Sequence, residues 1–145
     1  MKFSEIEQWD ELAPYLDTCL IPLTGLSGGE DPVVSADRLE DLRDLLELIE
    51  IPFKGRVVTY PAIHYITGKE DEHFQLYLDT VCQQLKEKAN FKYVMILSLL
   101  DHHKDMKLRH ADLLLTPDVP DGPGEPVTKL EADYRAKITG LWNPE

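Results

Sequence analysis

Three consecutive side chains, Asp101, His102 and His103, are the residues whose types and spacing in this sequence best suit chemistry. They follow residues 93–100, the most hydrophobic run of the chain, so they should lie where a buried strand ends. Carboxylate and imidazole groups clustered at a strand end are ligands for Mn²⁺ or Zn²⁺, and a metal held there would activate water. The simpler interpretation is a solvated loop or a short helix, and it is favoured because short motifs recur by accident.

The triplet resembles the signature of the DHH phosphoesterases. The resemblance stops there, because those enzymes are much longer and need aspartate and histidine motifs upstream that are not found in this sequence. A looser ligand set would add Asp105 and His110, since His103 and His110 would face one way on a helix. One helix this short gives few ligands the convergence that a metal site requires. No cofactor is required by the sequence, and a divalent metal is the one that these residues would accept.

A second candidate site combines a glycine-rich loop with a histidine further along the chain. Its candidate ligand-binding residues are Thr24, Gly25, Ser27, Gly28 and His64. Backbone N–H groups between a strand and a helix can cradle an anion, and a histidine can serve as a base or ligand near neutral pH. However, the glycine spacing fits neither nucleotide-binding motif, and Glu30 and Asp31 oppose a negative ligand. A flexible connection is therefore the favoured interpretation of the loop.

The elements that must position these residues alternate between strand and helix patterns. Strands are predicted at 17–23, 56–60, 93–100 and 111–116, and helices at 36–50, at 70–89 and from Thr128 onward. This alternation predicts a single α/β domain over residues 1–145, a three-layer α/β/α domain with a mostly parallel sheet of about four strands and helices on both faces. Ten residues between the last two strands barely allow a crossover, so the direction of the last strand stays open.

Ligands of such sheets bind outside the carboxyl ends of the strands, so the predicted ligand-binding rim consists of residues 24–29, 61–64 and 101–103.

Capping patterns predict helix starts at Ser4, Ser35 and Thr128, and Pro52 should close the helix over 36–50. Because proline has no backbone N–H, Pro22 must lie at a position of its strand where the sheet needs no hydrogen-bond donor. The apolar stripe of the helix over 36–50, which includes Leu39, and that of the helix over 70–89, which includes Tyr77, are predicted to be buried.

Composition limits the possible partners. The chain has 27 acidic residues against 15 Lys and Arg, a formal net charge of −12, and no basic patch interrupts this excess. Such a field repels phosphate backbones and anionic lipid surfaces, so we expect neither nucleic acid nor a membrane as a partner. The first residues turn polar at once, which favours a cytoplasmic protein. Cys19 and Cys82 fall in apolar segments and are expected to be buried, reduced thiols.

Two segments resemble a known family. They are residues 15–23, YLDTCLIPL, and residues 53–57, FKGRV, with Pro61 after them, together about a tenth of the 145-residue chain. They resemble the YpiF-type family of small uncharacterised proteins from Bacillus and its relatives. The resemblance implies a bacterial cytosolic origin, and it transfers no activity, ligand or catalytic residue.

Two functions remain open at this point. The first is a non-catalytic cytosolic binding or regulatory module that acts through protein contacts, because the sequence contains no complete catalytic constellation. The alternative is a small metal-dependent hydrolase or metabolite-binding protein that uses the carboxyl rim of the sheet. A non-catalytic role is expected more than an enzymatic one. The sequence leaves open whether the protein forms homo-oligomers.

Overall fold

The computed structural model of the protein describes residues 11, 14–64, 72–100, 103, 106–117 and 127–143. The elements in chain order are β1 (Thr18–Leu23), α1 (Pro32–Phe53), β2 (Val57–Thr59), α2 (Glu72–Glu87), β3 (Tyr93–Ser98), β4 (Leu113–Leu115) and α3 (Val127–Trp142). They confirm the predicted α/β fold. The helix predicted to start at Ser4 lies almost wholly outside the described residues.

The four strands form one parallel sheet in the order β2-β1-β3-β4. The two central strands, β1 and β3, pair along six residues, from Thr18 opposite Tyr93 to Leu23 opposite Ser98. Strands in such a position are buried on both faces, which explains why their sequences are continuously apolar. The last strand, whose direction the sequence left open, runs parallel to β3.

Helices cover both faces of the sheet, as predicted. Alternate residues of β1 divide between them: Cys19 and Ile21 pack with α2 on one face, and Leu20 packs with α1 and α3 on the other. The connection from β1 to β2 therefore crosses one face, and the connection from β2 back to β3 crosses the opposite face. This is the arrangement that crossovers of a single hand produce.

Pro22 occupies a position in β1 where the sheet needs no N–H donor, as predicted. The carbonyl of Leu20 accepts a hydrogen bond from Tyr60, and the carbonyl of Pro22 accepts one from Ile63, so both residues face the β2 side. Because β2 ends at Thr59, the ring nitrogen of Pro22 lies beyond the last residue of its neighbour.

The predicted start of α1 was wrong. The helix is capped by Asp31 rather than Ser35, and the Asp31 side chain accepts a hydrogen bond from the backbone N–H of Val34 at 2.9 Å. Pro32 is the first helical residue, a position where its missing N–H costs nothing. Pro52 lies inside the last turn, and the helix ends one residue after it.

The remaining elements are mostly shorter than their predicted ranges. β2, β3 and β4 each lose residues at one or both ends, and α2 ends at Glu87. α3 begins at Val127, one residue before the predicted cap Thr128. The strands are shorter because a residue belongs to a strand only where its backbone pairs with a neighbouring strand. β3 pairs along its full length only with β1. In the described part of the chain, no helix is long and apolar enough to cross a membrane.

Candidate functional site

Buried polar side chains concentrate at the carboxyl edge of the sheet. Among the described residues, the buried polar side chains are Thr18, Thr24, Ser98, His103 and Thr116. All of these except Thr18 lie at or just beyond the carboxyl end of a strand. Because burial of a polar group is costly without a hydrogen bond, each of them needs a partner inside the protein.

Thr24 and His64, both predicted site residues, are in contact. Thr24 follows β1 directly, and its hydroxyl oxygen lies 3.1 Å from Nδ1 of the exposed His64 ring. The backbone N–H of Thr24 donates to the carbonyl of Ile63 at 3.1 Å, and the N–H of Leu26 donates to the Thr24 hydroxyl at 3.3 Å. The segments that follow β1 and β2 are thereby held together, with the histidine ring at the surface.

Gly25 lies where the strand order reverses between β1 and β3, the position at which such sheets bind ligands. Its φ of 74° falls in the left-handed region that favours glycine. A Cβ at this position would lie 2.9 Å from Cγ of Leu100, in the segment that follows β3. The side chain of Leu100 therefore packs against the loop at the switch point.

The Ser27 and Gly28 donors of the glycine-rich loop are taken by the loop's own carboxylate. Glu30 accepts hydrogen bonds from the backbone N–H of Ser27, from the Ser27 hydroxyl at 2.8 Å and from the N–H of Gly28 at 3.0 Å. The backbone and hydroxyl bonds from Ser27 lower the pKa of Glu30 from 4.5 to about 2. Arg38 ties the loop to α1 by donating to the carbonyl of Gly25 at 2.6 Å. The position predicted for an anion thus holds an anionic side chain of the protein itself.

His103 is the one residue of the Asp101-His102-His103 triplet that the structure describes, and it is fully buried. Its Nδ1 lies 2.6 Å from the hydroxyl of Ser98, the last residue of β3, and its ring packs 5.6 Å from that of Phe74 on α2. Asp101, His102 and Asp105 lie outside the described residues. Within the described ranges, no group of three or more His, Cys, Asp and Glu side chains is placed to hold a metal ion.

His110 does not share a helix with His103, because residues 106–112 are not helical. Its backbone N–H donates to one carboxylate oxygen of Asp79 on α2 at 2.8 Å, and its ring lies 3.1 Å from the other. Burial of Asp79 opposes its ionisation, but the hydrogen bonds from His110 outweigh this effect and lower the pKa of Asp79. This pair fastens the connection before β4 to α2.

The outer face of α2 is a surface that sequence reasoning missed. Tyr77 was predicted to be buried, and this was wrong: it is 50% exposed, and its neighbour Leu76 is 67% exposed. The sheet contacts Phe74, Leu78 and Cys82, at intervals of four residues, so position 76 points away from it and position 77 lies at the edge of the buried stripe. Leu39 on α1, 47% exposed, was mispredicted in the same way. Each helix has more apolar residues than one buried stripe can hold, and this excess would have indicated that Tyr77 and Leu39 are exposed.

Four residues of the two segments that carry the family resemblance, Asp17, Thr18, Phe53 and Arg56, meet at the opposite, amino edge of the sheet. Asp17 accepts two hydrogen bonds from Arg56, at 2.8 and 3.1 Å. Phe53 packs edge-on against Trp142, with 5.0 Å between ring centres, and the indole N–H of Trp142 donates to Thr18 at 2.9 Å. This cluster joins the starts of β1 and β2 to the end of α3, so the two recognisable segments stabilise the fold.

The parallel sheet, its reversal of strand order and the helices on both faces place the protein among the doubly wound α/β domains. The chain belongs to the family described as "Protein of unknown function (DUF2487)", whose model matches residues 7–136. A search of curated proteins and a search of solved structures found no match. The expected membership of an uncharacterised family is thus confirmed at this level.

Proposed function

We propose that the protein is a non-catalytic binding or regulatory module that acts through protein contacts made by the outer face of α2. The observation that carries the proposal is the pair of adjacent apolar side chains, Leu76 and Tyr77, that this helix exposes. Leucine and tyrosine exposed on the same helical turn provide apolar area that a partner protein would remove from water. Tyrosine in particular is enriched at protein interfaces.

The surroundings of this pair support a contact surface. Between His73 and Gln84, Asp79 is the one charged residue, and it is bound to His110. The exposed part of α1 also carries apolar side chains, but among them stand acidic ones, at Asp37, Glu40, Asp41, Asp44 and Glu47. Depletion of charge at the centre of an interface is a compositional signal of protein contacts.

The chemistry of the described nucleophiles and bases favours binding over catalysis. The hydroxyls of Thr24 and Ser98 accept internal hydrogen bonds, and burial raises the pKa of Cys19 and of Cys82 to about 12. A thiol with such a pKa is almost wholly protonated near neutral pH, whereas nucleophilic catalysis needs the thiolate. These groups are suited to holding the carboxyl edge and the core together.

A photo-crosslinking amino acid at position 77, introduced in living cells, tests the proposal. We expect a covalent adduct with a protein, and we expect the substitution Leu76→Glu to suppress it. The matched control places the same crosslinker at position 39, on the acidic face of α1. Equal crosslinking at both positions, or none at position 77, would contradict the proposal.

A second candidate function is the binding of a metabolite or a metal ion at the carboxyl edge. The observation in its favour is the exposed ring of His64, which Thr24 holds at this edge. In the hydrolytic form of this proposal, Asp101, His102 and His103 would bind a divalent metal that activates water. Thermal unfolding with chelator, Mn²⁺, Zn²⁺ and a panel of metabolites tests it: a saturating ligand should raise the unfolding temperature, and His64→Ala or His103→Ala should abolish that shift. An unchanged unfolding temperature would exclude the ligands in the panel.

A cytoplasmic location and a YpiF-type identity within the family complete the proposal. The first is supported by the acidic composition and by two buried free cysteines, and the second by the segments 15–23 and 53–57. Fractionation of cells with an antibody against the protein tests the location. Recovery in a membrane or secreted fraction would contradict it.

A further inference from the structure

Residues 107–111, which lead from the buried Met106 towards β4, belong to no helix or strand, although they cross the same face of the sheet as α2. Leu108 and Ala111 are partly buried there, against the apolar cluster that α2 forms with β1 and β3. A cavity of about 90 Å³ lies between this segment and β4. The segment therefore packs less completely on the sheet than a crossover helix would, and fewer apolar contacts hold it in place.

The end of this segment next to β4 is fixed at Asp112. The backbone N–H of Asp112 donates to the carbonyl of Val94 at 2.8 Å, and its carboxylate accepts a hydrogen bond from the Val94 N–H at 2.9 Å. The same carboxylate lies 2.8 Å from Nζ of Lys86 on α2. Because Asp112 is bonded to both β3 and α2, it can stay in place as a hinge when the residues before it move.

The middle of the segment is held by the carboxylate of Asp79 on α2. One carboxylate oxygen accepts a hydrogen bond from the backbone N–H of His110 at 2.8 Å, and the other lies 3.1 Å from Nδ1 of the His110 ring. The two side chains are 19% and 32% exposed, so water competes for this contact. It is therefore weaker than the ladder of backbone hydrogen bonds that joins β1 to β3 along six residues.

The segment covers Cys82 on α2. Asp79 and Lys86 lie three residues before and four residues after Cys82, on the same side of the helix, and they bind the two residues that flank Ala111. Ala111 is thus level with Cys82, whose side chain is fully buried. Burial raises the pKa of this thiol, and the charges of Asp79, Lys86 and Asp112 also act on it, in agreement with their closeness.

We propose that residues 107–111 form a strap that turns about Asp112, leaves Asp79 and uncovers Cys82 while the sheet stays folded. The inference does not depend on the proposed function, because the outer face of α2 takes no part in it. Cys19 lies in the same apolar cluster, but it belongs to β1, which is paired on both sides. Local opening costs less free energy than global unfolding, so Cys82 should become accessible more often than Cys19.

Labelling of the purified full chain with iodoacetamide, followed by mass spectrometry of the two cysteine peptides, tests this inference. We expect Cys82 to react at least about tenfold faster than Cys19 in buffer. Its initial rate should change little in low concentrations of urea, because the strap exposes little surface when it opens. Cys19 should react only through global unfolding, so its rate should increase steeply with urea. Equal rates for the two thiols would overturn the inference.

The substitution Asp79→Ala removes both oxygens that hold the strap, so it should increase the initial labelling rate of Cys82 at least about fivefold and that of Cys19 much less. Glu87→Ala removes the same charge from the exposed side of α2 and should change neither rate. Hydrogen exchange of the amides of residues 107–111, which does not depend on the pKa of a thiol, should increase in Asp79→Ala alone.

An Asp79→Ala variant that labels Cys82 at the rate of the unaltered chain would overturn the inference, and so would one that accelerates both thiols equally. Thermal unfolding verifies that the variant folds. If it does not fold, the comparison of Cys82 with Cys19 in the unaltered chain still decides between local opening and global unfolding.

Discussion

The guanidinium carbon of Arg56 lies 4.0 Å from the centre of the Trp142 ring while the same group holds Asp17 through two hydrogen bonds. Trp142 is the last residue of α3, and Arg56 immediately precedes β2. The pair thus connects the final helix to the amino edge of the sheet. Arginine suits this position because its planar group can stack on an indole and bind a carboxylate with two nitrogens at once.

Replacing Arg56 with lysine should lower the free energy of unfolding by about 1–2 kcal/mol, because an ammonium group neither stacks nor binds in the two-pronged manner. Urea denaturation followed by tryptophan fluorescence measures the change. Arg43→Lys on the exposed side of α1 is the matched control and should have little effect. Equal stability of the two variants would show that the Arg56 contacts contribute nothing measurable.

Two glycine-to-alanine substitutions should change stability in opposite directions. Gly25→Ala should destabilise the protein by about 1–3 kcal/mol, since alanine disfavours a φ of 74° and its Cβ would press on Leu100. Gly140→Ala, on α3 with open space around it, should stabilise the protein by about 0.5–1 kcal/mol, because alanine favours helix. Thermal unfolding of both variants checks this. A neutral Gly25→Ala variant would mean that the switch-point loop adapts easily.

The loop after β1 should show a characteristic acid dependence. The folded protein lowers the pKa of Glu30 from 4.5 to about 2, so its carboxylate stabilises the fold above pH about 4.5. That contribution should be lost as the pH falls from about 4.5 towards about 2. An NMR titration of Glu30 should give the low midpoint, and Ser27→Ala should raise it by removing the hydroxyl donor. An ordinary midpoint in the unaltered protein would contradict the observed hydrogen bonds.

Native Cys19 and Cys82 should react with thiol reagents only when the protein opens. Both are fully buried, and burial raises their pKa to about 12, so the reactive thiolate is scarce near neutral pH. Labelling followed by mass spectrometry should be slow in buffer and fast in denaturant. A control variant with an exposed cysteine, Thr80→Cys, should react quickly in both. Rapid labelling of the native protein would indicate that β1 and α2 separate readily.

Much of the fold could be predicted because its signals are local. A continuous apolar run such as residues 93–100 identifies a buried strand, and alternation of strands with long helices predicts a parallel sheet. Even the position of Pro22 followed from the rule that a central strand tolerates proline only where no donor is needed. The start of α1 was mispredicted because Asp31 and Ser35 are both good capping residues. Pro32, which favours the first helical position, places the cap at Asp31.

The candidate site was less accessible to sequence reasoning. The positions of Thr24, His64 and His103 at one edge follow from sheet topology, yet no local pattern indicates that His103 is buried against Ser98 and Phe74. The exposure of Tyr77 was also missed, because it adjoins the buried Leu78 and periodicity alone allows either boundary for the buried stripe.

The sequence by itself determined the fold class, the buried strands, the acidic surface and the family to which the chain belongs. These properties follow from residue type and spacing along a few turns or one strand, so they can be inferred without knowing any long-range contact. Only the tertiary structure decided that Glu30 fills its own loop, that Arg56 joins β2 to Trp142, and that α2 exposes Leu76 and Tyr77. The Arg56 contact and the exposed residues of α2 depend on how elements far apart in the chain pack together, which leaves no local signal. The Glu30 contacts are local, but they depend on a loop conformation that residue type and spacing alone do not fix.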